Sequence, residues 1–124
     1  MMLEALEDYL AEQGYTNVFT DYLPSESTQP EAIYLSCWNH SIAEINDGTG
    51  VYYIQVQVRR TDPAAARQVC TDIFNLLDSG LDEEIIQLNA DAWCVIRPRR
   101  GVLLLDRTTE TATYYYELAL WGEN

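Results

Sequence analysis

The sequence contains no lysine, and it has no basic residue before Arg59. Seven arginines stand against 20 acidic residues among 124, which gives a formal net charge of −13. Affinity for a nucleic-acid backbone comes mainly from Lys and Arg on phosphates, so this balance disfavours a conventional nucleic-acid-binding protein. The simplest interpretation is that the acids keep a small domain soluble. An acidic first half and a later arginine cluster also fit self-association.

Long apolar runs are also missing. No stretch approaches the roughly 18 consecutive apolar residues that span a membrane, and the N-terminal segment lacks the basic and apolar regions of a signal peptide. We therefore expect a protein made in the cytoplasm that enters no membrane. Three cysteines, Cys37, Cys70 and Cys94, are widely spaced without a CxxC pair, which favours reduced thiols over a disulfide framework.

Signatures of catalysis are scarce. The single histidine, His40, lies three residues after Cys37, and this pair would supply only half of a four-ligand zinc site. A plain loop histidine is the simpler interpretation. The adjacent acids Asp82, Glu83 and Glu84 are typical of a solvated turn, and neither GxxxxGK[ST] nor GxGxxG occurs. The sequence therefore predicts no enzyme, no cofactor and no metal site.

The clearest pattern is a strand that leads directly into a helix. Residues 51–60 alternate apolar and polar side chains, which predicts a strand with one apolar and one half-polar face. Asp62 and Pro63 then fit the N-cap and the first helical position, and Gly80 fits the stop. An apolar stripe at helical spacing runs between them. The half-polar face of the strand comprises Tyr53, Gln55, Gln57 and Arg59.

The whole chain predicts one α+β domain over residues 1–124. A first helix is expected over residues 2–13, and a polar loop or hairpin turn over residues 39–50. Strands are expected over residues 17–23, 31–38, 92–97, 102–105 and 111–121, with a break at 98–101 and a short strand or helical turn at 85–88. The element order is α-β-β-β-α-β-β-β, with about five to six strands in a mainly antiparallel or mixed sheet and both helices on one face.

This arrangement resembles the tail-terminator or tail-completion proteins of long-tailed bacteriophages, often described as phage minor capsid proteins. The resemblance covers most of the chain and rests on the spacing and order of its segments. They are the N-terminal helix, Pro30-Glu-Ala-Ile-Tyr-Leu35, Tyr53-Ile-Gln-Val-Gln-Val-Arg59, the helix from Asp62 to Leu77, Arg97-Pro-Arg-Arg-Gly-Val-Leu-Leu-Leu-Asp106 and the closing aromatic strand. The Gly101–Thr109 segment departs from the family, because it is rich in leucine where relatives tend towards a glycine and an Asp-Glu pair.

The resemblance implies a structural virion protein in the tail or neck. Such proteins form a hexameric ring that caps the tail tube, stops its elongation and joins the tail to head-completion or connector proteins. DNA would pass through an acidic lumen without specific binding, because like charge suppresses contacts with the phosphate backbone.

A ring requires two different contact patches on each subunit. The charge asymmetry points to residues 97–107 as one patch, with Arg97, Arg99, Arg100, Leu103, Leu105 and Arg107 as interface candidates. The second patch is expected in the acidic loop of residues 39–50 or on a neighbouring surface. Glu44 and Asp47 are the candidates there for a lumen or partner loop.

Three alternatives stay open. The first is another neck component, such as a head-completion stopper or a connector adaptor. The second is an acidic DNA-mimic inhibitor, which would need carboxylates spaced like phosphates on a rigid face. The third is a small enzyme, which would need a convergent pocket.

Overall fold

A computed structural model describes residues 2–42, 49–80 and 84–123. Within these ranges the chain forms two helices and six strands. They are α1 (Met2–Glu12), β1 (Val18–Phe19), β2 (Ala32–Ile42), β3 (Thr49–Arg60), α2 (Pro63–Leu77), β4 (Ile86–Asn89), β5 (Ala92–Arg107) and β6 (Ala112–Glu123). This order confirms the predicted α-β-β-β-α-β-β-β arrangement and the α+β fold class.

The six strands form one mixed sheet in the order β1-β2-β3-β6-β5-β4. Only the pairing of β1 with β2 is parallel, and the other four pairings are antiparallel. The two central strands, β3 and β6, pair without a register shift from Thr49 opposite Glu123 to Arg60 opposite Ala112. This long ladder forms the middle of the sheet.

Both helices pack on the same face of the sheet. The apolar side chains of β3, among them Ile54 and Val56, are completely buried on that face. Phe74 of α2 makes an edge contact with Tyr116 of β6, with 5.1 Å between the ring centroids. Met2 of α1 lies directly over Gly122, where a Cβ would collide with it. The predicted apolar face of the β3 segment is therefore the core.

The predicted boundaries of α2 are confirmed. The Asp62 side chain accepts a hydrogen bond from the Ala64 amide at 3.0 Å, and Pro63 occupies the first turn. Beyond the end of the helix, Gly80 adopts a φ of +72°. Just before Gly80, Ser79 makes two hydrogen bonds with Ile96 of β5. The Ser79 amide donates to the Ile96 carbonyl and the Ser79 hydroxyl accepts from the Ile96 amide, both at 2.9 Å. The chain leaving α2 thus covers the β5 backbone at this position.

Two predicted boundaries near the first strands are wrong. The strand expected over residues 17–23 contains only Val18 and Phe19. The loop expected over residues 39–50 is shorter, because β2 continues to Ile42 and β3 begins at Thr49. Cross-strand hydrogen bonding overrides the weak strand propensity of residues 39–42. Glu44 and Asp47 lie outside the described residues.

The break expected at residues 98–101 is also wrong. β5 runs through Pro98 and Gly101 as one strand of 16 residues, with register shifts against β6 on either side of Arg100. A proline fits a strand where its missing amide hydrogen faces an unpaired edge, and extra residues are absorbed as bulges. The expectation that Pro98 and Gly101 interrupt the strand is wrong because β6 pairs with β5 on both sides of them.

Arg59 lies on the same side of β3 as Tyr53, Gln55 and Gln57, but it is covered. It is only 7% exposed, and its guanidinium donates hydrogen bonds to the backbone carbonyls of Pro24, Gln29 and Pro30. Burial lowers the pKa of Arg59, and the charge of Glu26 partly opposes that effect. These hydrogen bonds from Arg59 therefore hold residues 24–30 against one end of the sheet.

We expect Arg59→Met to lower the free energy of unfolding by about 2–4 kcal/mol, because it leaves three carbonyls without their charged donor. Arg67→Met is the matched control, since Arg67 is exposed on α2. Its effect should stay below about 0.5 kcal/mol. Chemical denaturation of both variants measures the difference, and equal stabilities would contradict this role of Arg59.

A second contact of the same segment depends on pH. Glu26 accepts hydrogen bonds from the hydroxyls of Thr111 at 2.6 Å and Thr108 at 2.9 Å, which lower its pKa below the ordinary value of 4.5. A carboxylate with a depressed folded-state pKa stabilises the fold above the unfolded-state pKa, and that stability is lost as the pH falls.

We therefore expect acid to destabilise the wild-type protein more than Thr111→Val, which removes the stronger donor. Denaturation midpoints at about pH 7 and about pH 3 provide the comparison. If the midpoint falls by the same amount between the two pH values in Thr111→Val as in the wild type, the Glu26 carboxylate does not contribute to the pH dependence of stability.

Candidate functional site

The sheet face opposite the two helices is left uncovered in the described part of the structure. No described helix packs on it, and side chains alternate onto it from the four strands β2, β3, β6 and β5. We term it the open face and define it by Ser36, Trp38, Tyr53, Gln55, Gln57, Trp93, Val95, Arg97, Arg100, Tyr115, Glu117, Ala119 and Trp121, with Arg99 lying across it.

All three tryptophans of the chain lie on the open face, and each is about half exposed. The exposed fractions are 51% for Trp38, 52% for Trp93 and 45% for Trp121. Aromatic residues and arginine are enriched in the buried centres of protein interfaces and supply most of their binding energy. A sheet face that displays every tryptophan of the chain therefore has the composition of a contact surface.

Two bulged residues meet across this face. Trp38 is an extra residue between the pairs of Cys37 with Ile54 and Asn39 with Tyr53, and it stacks on Tyr53 with 5.2 Å between ring centroids. Arg99 is an extra residue of β5, and its guanidinium carbon lies 4.6 Å from the Tyr53 ring centroid and 5.8 Å from that of Trp38. Such exposed cation–π contacts contribute about 0.5–1 kcal/mol each.

The small side chain of Ala119 on β6 allows Arg99 of β5 to reach Tyr53 of β3. In the sheet register Ala119 lies between Tyr53 of β3 and Arg97 of β5, so it occupies the position that Arg99 crosses. Its small side chain leaves room for the arginine above the backbone of β6. A larger residue there would separate Arg99 from the aromatic pair.

A polar hollow lies beside this cluster. Arg100 pairs with Glu117 across the sheet and donates a hydrogen bond to the Tyr115 hydroxyl at 3.2 Å. That hydrogen bond, followed by the charge of Glu117, raises the pKa of Arg100. Glu117 also lines a hollow of about 240 Å3 together with Ser36, Trp38 and Gln55. The centre of the open face therefore offers both a cation and hydrogen-bonding groups.

The outer edge of β5 is the second uncovered feature. β4 pairs only with the beginning of β5, and beyond Ile96 no described strand pairs with that edge. Leu103, Leu104 and Leu105 follow in succession and are 48%, 51% and 45% exposed. An open edge with exposed apolar residues is a template for pairing with another chain. We term residues 98–107 the β5 edge.

The structure brings only some of the predicted site residues together. Arg99 and Arg100 join the predicted half-polar face of Tyr53, Gln55 and Gln57. Arg97 pairs with Ala119 and donates a hydrogen bond to the carbonyl of Gly80 at 2.9 Å. Leu103 pairs with Tyr115 and therefore shares the open face, whereas Leu105 and Arg107 lie further along the β5 edge, with Arg107 opposite Ala112.

Sequence reasoning missed the three tryptophans and Leu104. The tryptophans occupy three different strands, and only the sheet register shows that they share a face. One signal was available, since Trp93 and Trp121 alternate with buried neighbours in their strands. Trp38 lies two residues after Ser36, so simple alternation also places it on the open face.

The cysteines have no common site. Cys70 and Cys94 are buried in the core, and burial raises the pKa of each thiol to about 12, whereas Cys37 is exposed. Among residues 2–42, 49–80 and 84–123, no group of three or more His, Cys, Asp or Glu side chains is arranged to hold a metal ion. Neither helix of this part of the chain is long and apolar enough to cross a membrane.

The opposite side of the subunit is acidic. Glu4, Asp8 and Glu12 follow one another at four-residue spacing on α1, and all three are exposed. We term them the acid stripe. Like charges at this spacing destabilise a helix by about 0.2–0.5 kcal/mol for each pair. The helix therefore carries an unfavourable stripe on its solvent side.

Comparison with known proteins gives no match, either to a protein-family model or to a curated protein. Function must therefore be inferred from the surfaces themselves. The open face, the β5 edge and the acid stripe are the three surfaces whose residues are not explained by folding alone.

If the open face is a contact surface, its tryptophans should contribute little to the stability of the subunit. We expect Trp38→Ser to lower the free energy of unfolding of the dissociated subunit by about 1 kcal/mol or less, against about 2–5 kcal/mol for the core substitution Ile54→Ala. Chemical denaturation at a concentration where the protein is monomeric measures both. A loss at Trp38 as large as that at Ile54 would assign the aromatic cluster to the fold.

Proposed function

We propose that the chain is a structural subunit of a tailed bacteriophage, a tail terminator that assembles into a ring. The observation that carries self-assembly is the open face, where three half-exposed tryptophans and three arginines share one uncovered side of the sheet. The assignment to a phage tail rests on the resemblance in segment order and spacing.

The charge of the chain supports the same proposal. A net charge of −13 suppresses binding to the phosphate backbone, which suits a ring through which DNA has to slide. The arginines of the open face are then available for protein contacts, because they are few and are placed beside aromatic rings. The partners of this proposal are further copies in a hexamer, the tail tube protein and a head-completion or connector protein. The ring would belong to the virion tail or neck.

The open face gives this proposal a direct test of assembly. We expect Arg99→Glu together with Arg100→Glu to abolish ring formation, because the reversed charges remove the cations at the centre of the contact. Light scattering coupled to size exclusion gives the native mass of each form. Arg67→Glu has the same change of charge per residue at an exposed position of α2, and it should leave the native mass unchanged.

The oligomer size separates the related functions. A hexamer favours a terminator and a dodecamer favours a connector adaptor, while a monomer or dimer favours an inhibitor or an enzyme. Intact hexamers of the doubly reversed variant would show that assembly uses another surface.

The tail-tube role has its own measurement. Purified protein added to polymerising tail tube protein should stop elongation, and the lengths of the tubes can be measured by electron microscopy. Unlimited tube growth in the presence of assembled rings would refute the terminator role while leaving the ring intact.

A further inference from the structure

Two surfaces of opposite charge lie on opposite sides of the subunit. The open face carries Arg99 and Arg100 on the side of the sheet that the helices leave uncovered. The acid stripe, Glu4, Asp8 and Glu12, lies on α1, which packs on the other side. One copy therefore cannot bring its own two surfaces together, although two copies in the same orientation can.

The acid stripe has the chemistry of a partner for arginines. Its three carboxylates repel one another along the helix, and the first 58 residues contain no lysine or arginine. The negative region also extends sideways, where Glu4, Glu7 and Asp21 line a hollow of about 200 Å3 beside Tyr22, which is 64% exposed. Cations supplied by another chain would relieve this repulsion.

The dimensions of the two surfaces agree. The eight residue steps from Glu4 to Glu12 span about 12 Å at the rise of an α-helix. The four strands from β2 to β5 are separated by three interstrand spacings, or about 14 Å. A helix laid across the strands therefore reaches from Trp38 on one side of the open face to Arg100 on the other.

We propose that the acid stripe of one copy docks on the open face of the next copy, so that subunits stack front to back. The carboxylates of the stripe would accept hydrogen bonds from the guanidinium groups of Arg99 and Arg100. The exposed side of Ala11, which lies between the acids, would allow the helix to approach the tryptophans closely. This proposal rests on the proposed function and names the second patch that ring closure needs.

The arrangement is heterologous, because each contact uses two different surfaces. Such contacts form a ring where the rotation between copies closes and an open filament where it does not, and a pair of copies joined by one such contact leaves one surface of each type unused. Aromatic rings beside arginines also form stacking platforms for single-stranded nucleic acid. The net charge of −13 favours the protein partner, and nucleic acid is a competing outcome of the experiment.

Complementary charge reversal tests the contact directly. The face variant carries Arg99→Glu and Arg100→Glu, and the stripe variant carries Asp8→Arg and Glu12→Arg. Each variant alone should require at least about a tenfold higher concentration than the wild type to assemble, because its contacts oppose like charges. An equimolar mixture should assemble again, since every contact in an alternating assembly is then between opposite charges. Native mass spectrometry of copies with different tags measures the alternation.

Controls separate charge complementarity from damage to the fold. Arg67→Glu and Asp91→Arg reverse charges at exposed positions outside both surfaces and should leave assembly unchanged. Because Arg100→Glu places a second acid opposite Glu117, a neutral face variant with Arg99→Gln and Arg100→Gln is made as well. It should also weaken assembly, and in a mixture with the stripe variant it should form pairs through the one unchanged contact without restoring the wild-type assembly.

The outcomes distinguish this proposal from the proposed function. If the stripe variant assembles like the wild type, or if the mixture stays dissociated, front-to-back docking is wrong even where the wild type forms rings that stop tube growth. If the mixture reassembles and the wild type does not stop tube growth, docking stands and the terminator function fails. A monomeric wild type overturns both. Binding of oligothymidine to the wild type and the stripe variant, but not to the face variant, would assign the open face to nucleic acid instead.

Discussion

The uninterrupted ladder between β3 and β6 is the constraint on which the rest of the structure depends. It fixes which side of each central strand meets the helices, and it transmits that choice to β2 and β5 through their own pairings. Two helices cover one side of a six-stranded sheet, and the apolar side chains that pack best are placed there. The other side receives the amphipathic residues, which are large enough to make contacts and polar enough to remain in water.

Bulges in the two flanking strands give the open face its particular character. Regular alternation would put Cys37 and Asn39 on the same face, but the extra residue Trp38 leaves Cys37 opposite Ile54 of the core side and Asn39 opposite Tyr53 of the open face. The extra residue Arg99 does the same in β5, and Ala119 leaves the space that lets the two meet. Bulges are typical where a strand has to re-aim a side chain. Here two of them build one cluster from strands that are not neighbours.

Local sequence rules predicted the elements and failed where a distant partner decides the outcome. Alternation in residues 51–60 and the pair Asp62 and Pro63 specified β3 and the start of α2, because those signals depend on neighbouring residues only. Pro98 was expected to break a strand, but β6 pairs with the whole of β5. Arg59 was assigned to the correct side of its strand, yet its burial depends on a segment about 30 residues earlier in the chain. The tryptophans share a face only through the register of three strands.

Net charge and local charge act on assembly at different distances. Copies that each carry −13 repel one another while they are far apart, and at physiological ionic strength this repulsion is screened beyond about 8 Å. Contacts between carboxylates and guanidinium groups act at hydrogen-bonding distance, beside aromatic rings that exclude water, so they are screened much less. If copies assemble through the open face as proposed, they need enough salt to suppress the long-range repulsion but not so much that the local charge pairs are screened. A chain with no lysine and few arginines, three of which lie on one aromatic surface, would meet that condition with a minimum of positive charge.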